Sequence, residues 1–199
     1  MAKYPKVNYI GNKEKLVNWI IEEMPVKEGI VLDIFAGGCS VSYALKLAGY
    51  SVISNDILYA DYVIAKALIE NESVSLPISV FDTKYDFERE KKIELKFSFL
   101  SDCLYYPEEV KELSKLVAIS EKLEGAKKYM MLSLIRRAMI RKLPYSRMNV
   151  PWDQIQKLRD EDYSYKKYKR KRAYHNQTFE SHIRENIDAY NNAVFEGKQ

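Results

Sequence analysis

Cysteine is scarce in this 199-residue sequence, and long uncharged apolar runs are missing from it. The two cysteines, Cys39 and Cys103, follow no pairing pattern, which excludes a disulfide framework and a four-cysteine zinc site. No apolar run approaches the roughly 20 residues that a spanning helix requires, and residues 1–13 contain no apolar signal core. We therefore expect a soluble, cytoplasmic protein with no membrane partner.

Internal repeats and low-complexity tracts are also missing, so the length bounds the organisation. A chain of 199 residues suits one core with a smaller appended part, because domains usually contain about 100 to 200 residues. We predict an α/β part over residues 1–105 and a mainly helical, basic part over residues 106–199.

The most informative stretch runs from a strand into a glycine turn. Residues 30–35 are apolar apart from Asp33, as in a parallel strand covered on both faces, and Gly37 allows a tight turn beneath a ligand. A second strand is predicted over residues 51–54. Asp56 follows it, 19 residues after Gly37, near the spacing at which a carboxylate receives ribose hydroxyls. The pattern indicates a nucleoside-cofactor pocket, although an ordinary strand-helix-strand unit would have the same pattern.

Basic charge is concentrated in the second half of the sequence. Residues 1–110 carry 12 Lys+Arg against 17 Asp+Glu, a net charge of −5, whereas residues 111–199 carry 20 against 11, a net charge of +9. Residues 127–172 hold 15 basic and 4 acidic side chains. Such a concentration indicates a polyanionic partner such as nucleic acid. The alternative is a face that is simply solvated.

The densest basic segment is interleaved with tyrosines. Residues 166–172 supply six cations in seven positions, which combines neutralisation of phosphates with rings that can stack on bases. The competing interpretation is a surface helix whose tyrosines pack inward. The candidate DNA-binding residues in this segment are Lys166, Lys167, Lys169, Arg170, Lys171 and Arg172.

Helical periodicity predicts further elements, and residues 71–95 are predicted to be a loop with short helical or strand pieces. Ile57 and Tyr62 are assigned to the buried stripe of one helix, and Arg137 to the wet face of another. His175 and His182 lie among polar residues and are interpreted as solvated or phosphate-facing rather than as metal ligands. The predicted helices cover residues 13–24, 57–69, 107–123, 126–143 and 182–195.

Three short motifs, YIGNKEKL at 9–16, DIFAGGCSV at 33–41 and ND at 55–56, resemble in order and spacing those of bacterial and phage DNA adenine methyltransferases of the GATC-methylase type. The resemblance implies an α/β chain with part of a Rossmann-like methyltransferase sheet, S-adenosylmethionine as cofactor and double-stranded DNA as partner. It also extends to MNVPW at 148–152, in the arm that recognises DNA, which adds Arg147 and Asn149 to the DNA-binding residues.

The same resemblance implies a role for each matching position of the cofactor site. Two residues would contact the methionine end of the cofactor, two would line its floor, one would bind the ribose, and one would fix the turn or reach the cofactor amino group. In that order, these residues are Tyr9 and Lys13, Phe35 and Gly37, Asp56, and Asp33.

Two departures from the family pattern limit this transfer. Cys39 stands where the family has its second glycine, so a requirement for positive φ there would force the loop to differ. More importantly, the catalytic D-P-P-Y does not occur, and no catalytic residue is assigned. Adenine N6 is a poor nucleophile that this clamp must orient, so we expect the chain to be inactive alone. It would then be part of a split enzyme, the product of a truncated gene, or a subunit completed by a second polypeptide that supplies the clamp.

Three functional hypotheses remain. The first is the cofactor-binding and DNA-binding part of an adenine-specific DNA methyltransferase from a restriction-modification system. The second is a non-catalytic DNA-binding module with a vestigial or regulatory methyl-donor pocket. The third, a dinucleotide-dependent enzyme, is disfavoured because G-G-C is not G-x-G-x-x-G and because the basic arm would be unexplained.

Overall fold

The computed structural model describes residues 2–143, 150–169 and 173–197, and these form a helix-rich chain with a small parallel sheet. The chain divides into two compact units. The first unit comprises Met1–Pro77, Glu124–Leu134 and Asn186–Gln199, and the second comprises Ile78–Leu123 and Ile135–Glu185. The mixture of helices and sheet is compatible with the predicted α/β class. The functional division after residue 105 stays a prediction.

Short elements alternate along the first 70 residues, and helices follow them. The order begins with α1 (Val17–Glu22), β1 (Ile30–Asp33), α2 (Ser40–Leu47), β2 (Ser51–Ser54) and α3 (Tyr59–Leu68). It continues with α4 (Phe87–Phe97), α5 (Pro107–Ser120), α6 (Gly125–Lys142), α7 (Trp152–Arg159), α8 (Glu161–Tyr168) and α9 (Phe179–Asn191). Single 3-10 turns span Ile78–Asp82, Ser98–Leu100 and Ala173–Asn176.

The sheet of the first unit consists of β1 and β2, paired in parallel with Ile30 opposite Ser51 and Asp33 opposite Ser54. Gly49, with φ 90°, ends the connection through α2, because a residue just past a helix often requires a left-handed backbone. Ser42 of α2 donates to the Asp33 carboxylate at 2.6 Å and accepts from Ser54 at 2.9 Å. These bonds fix α2 on one face of the sheet.

The prediction of a loop with short helical or strand pieces over residues 71–95 is confirmed as far as residue 86, with the 3-10 turn Ile78–Asp82 as the helical piece, and is wrong from Phe87, where α4 begins. The Asp86 carboxylate accepts from the backbone amides of Glu88 and Arg89, at 2.9 and 3.2 Å. This N-cap satisfies amides that the first turn of a helix leaves unpaired. The helix carries few apolar residues, and Ile93 is one of its buried side chains, so the periodic signal was weak.

The predicted buried stripe of residues 57–69 is also wrong at two positions. Ile57 is 96% exposed and Tyr62 is 44% exposed. The helix starts only at Tyr59, because the backbone amide of Leu58 is held by the Asp56 carboxylate outside the helix. Its buried face is formed instead by Asp61, Val63, Ile64, Ala67 and Leu68.

Three side chains that were predicted to face water are buried. Arg137 is 4% exposed on α6, and His175 and His182 are each 1% exposed. His175 lies 3.2 Å through Nδ1 from the Arg141 carbonyl. Periodicity could not anticipate this, because α6 is covered on nearly all sides and has no wet face at this position. Within the described residues, no helix is long and apolar enough to cross a membrane.

Candidate cofactor site and basic surface

A carboxylate holds the glycine turn that follows β1. The Gly37 amide donates to Asp56 Oδ2 at 2.9 Å, and the Leu58 amide donates to Asp56 Oδ1 at 3.1 Å. Because the two strands are parallel, the turn after β1 and the residues after β2 meet at the same edge of the sheet. The structure thus brings together Gly37 and Asp56, which are 19 positions apart in the sequence.

Asp56 is poised as an ionised acceptor. Hydrogen bonds from the Leu58 and Gly37 amides hold the pKa of its carboxyl below the ordinary value. A carboxylate offers about four lone-pair sites, and the Leu58 and Gly37 amides occupy one on each oxygen. The carboxylate is half-buried. It can therefore accept hydrogen bonds from a diol while it continues to brace the turn.

The N-terminal segment packs directly on the glycine turn. A Cβ at Gly37 would lie 2.8 Å from the Tyr9 ring, and a Cβ at Gly38 would lie 2.8 Å from Tyr9 Cβ and 3.1 Å from Val7. The Tyr4 hydroxyl donates to the Gly38 carbonyl. The two glycines are thus needed for the approach of this segment. The sequence-based prediction did not include Tyr4 and Val7. The signal that could have indicated them is the spacing of apolar side chains within an otherwise polar N-terminal stretch.

The turn keeps a left-handed backbone at Cys39 although the residue is not glycine. Cys39 has φ 63° and ψ 23°, and Gly37 has φ 50°. The side chain of Cys39 is fully buried, so packing holds a conformation that costs a non-glycine residue roughly 1 to 2 kcal/mol. Burial raises the pKa of its thiol, and the Asp33 carboxylate raises it further, so the thiol stays protonated.

The other predicted cofactor residues lie in three different environments. The Asp33 carboxylate is engaged by Ser42 of α2. Phe35 is 87% exposed after the end of β1. Lys13 is exposed and donates from Nζ to the Gly11 carbonyl at 2.9 Å, which is a bond within its own turn rather than to the glycine turn. The cofactor roles of all six residues stay predictions.

Beside the glycine turn lies a small recess of about 70 Å³. Pockets for whole cofactors usually measure about 300 to 1,000 Å³, so this recess matches only a fragment such as a ribose edge. Its lining combines acceptors with small side chains and one ring: Ala36, Ser54, Asn55, Asp56, Asp61, Tyr62 and Ala65. By its volume, the recess could hold only part of a cofactor. The exposed side chain of Ile57 adds an apolar surface immediately after Asp56.

The predicted DNA-binding residues are only partly within the described part of the chain. Lys166 and Lys167 are exposed in the last turn of α8, and Lys169 is exposed at its C-cap with φ 55°. Lys167 Nζ lies 3.2 Å from the Tyr163 hydroxyl. Cations at a helix C-terminus also complement the helix dipole, so a structural role accompanies any role in binding. The remaining predicted DNA-binding residues, Arg147, Asn149, Arg170, Lys171 and Arg172, lie outside the described residues.

Part of the basic charge of the second unit is buried in an ionic cluster. Arg159 reaches the Glu109 carboxylate with both terminal nitrogens, at 2.8 and 2.5 Å, and Lys142 Nζ lies 2.7 Å from it. The side chains of Arg159 and Lys142 are 3% and 1% exposed. Burial alone would raise the pKa of Glu109, but hydrogen bonds from Arg159 and Lys142 hold it below its usual value. These two buried cations pair with Glu109 in the interior and do not form part of a surface that could bind a polyanion.

The described residues contain no group of three or more histidine, cysteine, aspartate or glutamate side chains placed to hold a metal ion. His175 and His182 are interior residues of the second unit. At the sheet edge, carboxylate and amide groups are placed to form hydrogen bonds to a ligand.

Comparison with known proteins gives one family and two relatives. The model of the family "D12 class N6 adenine-specific DNA methyltransferase" matches residues 9–198. Type II methyltransferase M2.HphI of Haemophilus parahaemolyticus is 48% identical over 194 residues, which cover 97% of this chain and 57% of that protein. Type II methyltransferase M.CviAII of Paramecium bursaria Chlorella virus 1 is 36% identical over 67 residues, which cover 32% of this chain and 21% of that protein. The chain thus spans little more than half of M2.HphI. No solved structure was found to match it.

Proposed function

Because the chain belongs to the family of D12 class N6 adenine-specific DNA methyltransferases, we propose that it binds S-adenosylmethionine and double-stranded DNA for the site-specific methylation of adenine N6. The relative M2.HphI is a type II methyltransferase, which supports a place in a restriction-modification system. The two-stranded parallel sheet is then part of a larger Rossmann-like sheet. Cellular DNA as substrate supports a cytoplasmic location.

One observation carries the cofactor proposal: the Asp56 carboxylate braces the Gly37 amide beside a small polar recess. The ionised carboxylate would accept the ribose hydroxyls, and the exposed side chain of Ile57 would lie against the adenine ring. Tyr9, packed on the glycine turn, would limit the space at the methionine end. Bound there, S-adenosylmethionine supplies a methyl group that its sulfonium already activates.

The residues of this chain would bind and position the cofactor rather than orient the adenine amine. The D-P-P-Y clamp that the resemblance requires is not in the sequence, and the recess beside Asp56 is too small for a whole cofactor. We propose that further polypeptide supplies the clamp. The chain alone is then expected to transfer no methyl group to DNA, and transfer by the purified chain would contradict this.

Calorimetry with S-adenosylmethionine tests the cofactor proposal directly. Asp56→Ala should weaken binding tenfold or more, because hydrogen bonds to a charged group contribute about 1.5 to 3 kcal/mol each. Asp188→Ala is the matched control, since Asp188 is an exposed acid of α9 in the first unit. Undiminished affinity in Asp56→Ala would remove the assignment.

A non-catalytic DNA-binding module remains the second candidate, and the missing clamp is the observation that favours it. The two candidates differ once the clamp is supplied. A methyltransferase part should transfer methyl groups to DNA when it is combined with the unmatched part of M2.HphI, whereas a vestigial module should bind DNA without transfer.

A further inference from the structure

A second carboxyl group lies against Asp56. The Asp61 side chain is hydrogen-bonded to the carboxyl of Asp56, and both residues line the recess of about 70 Å³ beside the glycine turn. Asp61 lies in the first turn of α3 and is 1% exposed, whereas Asp56 is half-buried. Two carboxyl groups in hydrogen-bond contact need a proton between them, because an ionised carboxylate is only an acceptor.

The surroundings of Asp61 favour its neutral form. Burial and a neighbouring like charge both penalise an ionised acid, so the more deeply buried member of such a pair is the one that keeps the proton. From other elements, the carboxyl of Asp56 and the protonated thiol of Cys39 face Asp61, and neither supplies a positive charge. The dipole of α3 favours an ionised acid in its first turn, but this effect is small beside burial and contact with a second carboxylate.

Asp56 shows the behaviour expected of the ionised member of the pair. The pKa of its carboxyl is held low by hydrogen bonds, first from the Leu58 amide and then from the Gly37 amide, and the hydrogen bond with Asp61 lowers it further. A neighbour that lowers the pKa of an acid through a hydrogen bond stabilises the carboxylate and therefore acts as a donor. In this pair the donor can only be a protonated Asp61.

We propose that Asp61 is a positioning residue for the cofactor: its buried carboxyl group keeps a proton and donates a hydrogen bond to Asp56, which fixes the Asp56 carboxylate beside the recess. The Gly37 and Leu58 amides bond to the two oxygens of the same carboxylate. With a third donor in place, the carboxylate has one orientation and a single negative charge before a ribose binds, so binding does not have to order it. This inference rests on the proposed function, because it concerns the residue that would bind the ribose.

Carbon-13 NMR of the carboxyl groups tests the protonation without any ligand. In the unmodified chain at about pH 7, where an ordinary aspartate is ionised, we expect Asp61 to give the signal of a protonated carboxyl and Asp56 that of a carboxylate. Asp61→Asn and Asp56→Asn assign the two signals by removing them. An ionised Asp61, or a proton on Asp56 instead, overturns the inference.

Calorimetry with S-adenosylmethionine tests the positioning role. Asp61→Asn keeps a donor but cannot ionise, so its affinity should lie within about threefold of that of the unmodified chain. Asp61→Leu offers no donor and should weaken binding at least about fivefold, because hydrogen bonds to charged groups are among the stronger ones. The control is Asp188→Asn, at an exposed acid of α9 in the same unit, which should bind like the unmodified chain. Undiminished affinity in Asp61→Leu overturns the inference.

A pH profile separates positioning from packing and does not depend on the leucine variant folding. In the unmodified chain, the affinity for S-adenosylmethionine should fall as the pH rises through the range in which the NMR signal of Asp61 shows the loss of its proton. The donor is then lost, and the two adjacent carboxylates repel each other. Asp61→Asn should show no such fall. A fall that Asp61→Asn shares, or one that does not follow the Asp61 signal, overturns the inference.

The NMR measurement also separates this inference from the proposed function, because it needs no cofactor. Binding of S-adenosylmethionine by a chain whose Asp61 is ionised would defeat the inference and leave the proposed function intact. A protonated Asp61 in a chain that binds no S-adenosylmethionine would leave the carboxyl pair as described and defeat the proposed function.

Discussion

In the first unit, aliphatic side chains of the sheet lie in solvent, whereas in the second unit charged side chains lie in the interior. Ile30 and Ile53 are more than half exposed, while Lys142 and Arg159 are almost completely buried around Glu109. In the second unit, Glu109 thus pairs with the two buried cations, whereas in the first unit the aliphatic side chains on one face of the sheet are left exposed. A side chain's chemical class alone did not decide its environment in either unit.

The largest expected effect is on the interior of the second unit. Glu109→Ala should lower the free energy of unfolding by about 3 to 5 kcal/mol, because it leaves two buried cations without their carboxylate. Urea denaturation measures the change.

The control for this effect is an ion pair near the surface. Glu121→Ala removes the partner of Arg89, whose side chain is 41% exposed, and should lower the free energy of unfolding by no more than about 1 kcal/mol.

The contribution of Glu109 to stability should also depend on pH. Because the pKa of Glu109 in the folded state lies below its ordinary value of 4.5, the unmodified chain should be more stable than Glu109→Gln above pH 4.5. This difference in the free energy of unfolding should be lost as the pH falls through the folded-state pKa. Equal losses of unfolding free energy in Glu109→Ala and Glu121→Ala would contradict a stabilising role for the buried cluster around Glu109.

The next effect concerns the glycine turn of the first unit. Gly37→Ala combines a φ of +50° with a Cβ 2.8 Å from the Tyr9 ring, whereas Gly125→Ala has a φ of +53° and no atom within 4 Å. Backbone strain, roughly 1 to 2 kcal/mol, is common to both, so the difference between them reports the displacement of Tyr9. We expect Gly37→Ala to lose up to about 3 kcal/mol more stability, as in other overpacked sites. Thermal and urea unfolding measure it, and equal losses would show that Tyr9 does not depend on this glycine.

The smallest effect per residue is expected at the exposed lysines of α8. The triple variant Lys166→Gln/Lys167→Gln/Lys169→Gln should reduce the slope of log affinity for duplex DNA against log salt, by about 0.9 for each phosphate that is no longer neutralised. Its control is Lys91→Gln/Lys92→Gln/Lys96→Gln, which neutralises three exposed lysines of α4 in the same unit. The affinity for duplex DNA is measured by fluorescence anisotropy between about 50 and 200 mM salt, because phosphate binding changes affinity most visibly over this range. Identical slopes for the two variants would indicate that the α8 lysines form a solvated face and do not bind DNA phosphates.

Local patterns sufficed for the sheet edge. Both strands and the turn at Gly37 follow from an apolar run and a glycine pair, whereas the hydrogen bond from the Gly37 amide to Asp56 was not predicted. Those features need only neighbouring residues and the geometry of a parallel sheet.

Long-range packing explains what local patterns missed. Tyr4 reaches Gly38 across 34 positions, and Arg159 reaches Glu109 across 50, so neither interaction leaves a periodic signal. Arg137 and His182 were predicted to face water because they are polar, but both side chains are almost completely buried. Ile57 shows the opposite error, since the hydrogen bond of Asp56 to the Leu58 amide keeps the residues before α3 out of the core.

We propose above that the Gly37 turn, which Asp56 braces, binds the methyl donor. An NMR titration tests this proposal most directly. With ¹⁵N-labelled chain and S-adenosylmethionine, the account predicts that the largest amide shifts fall on Gly37, Gly38 and Leu58 and are lost in Asp56→Ala. Shifts confined to the second unit, or no shifts at these three amides at saturating cofactor, would contradict it.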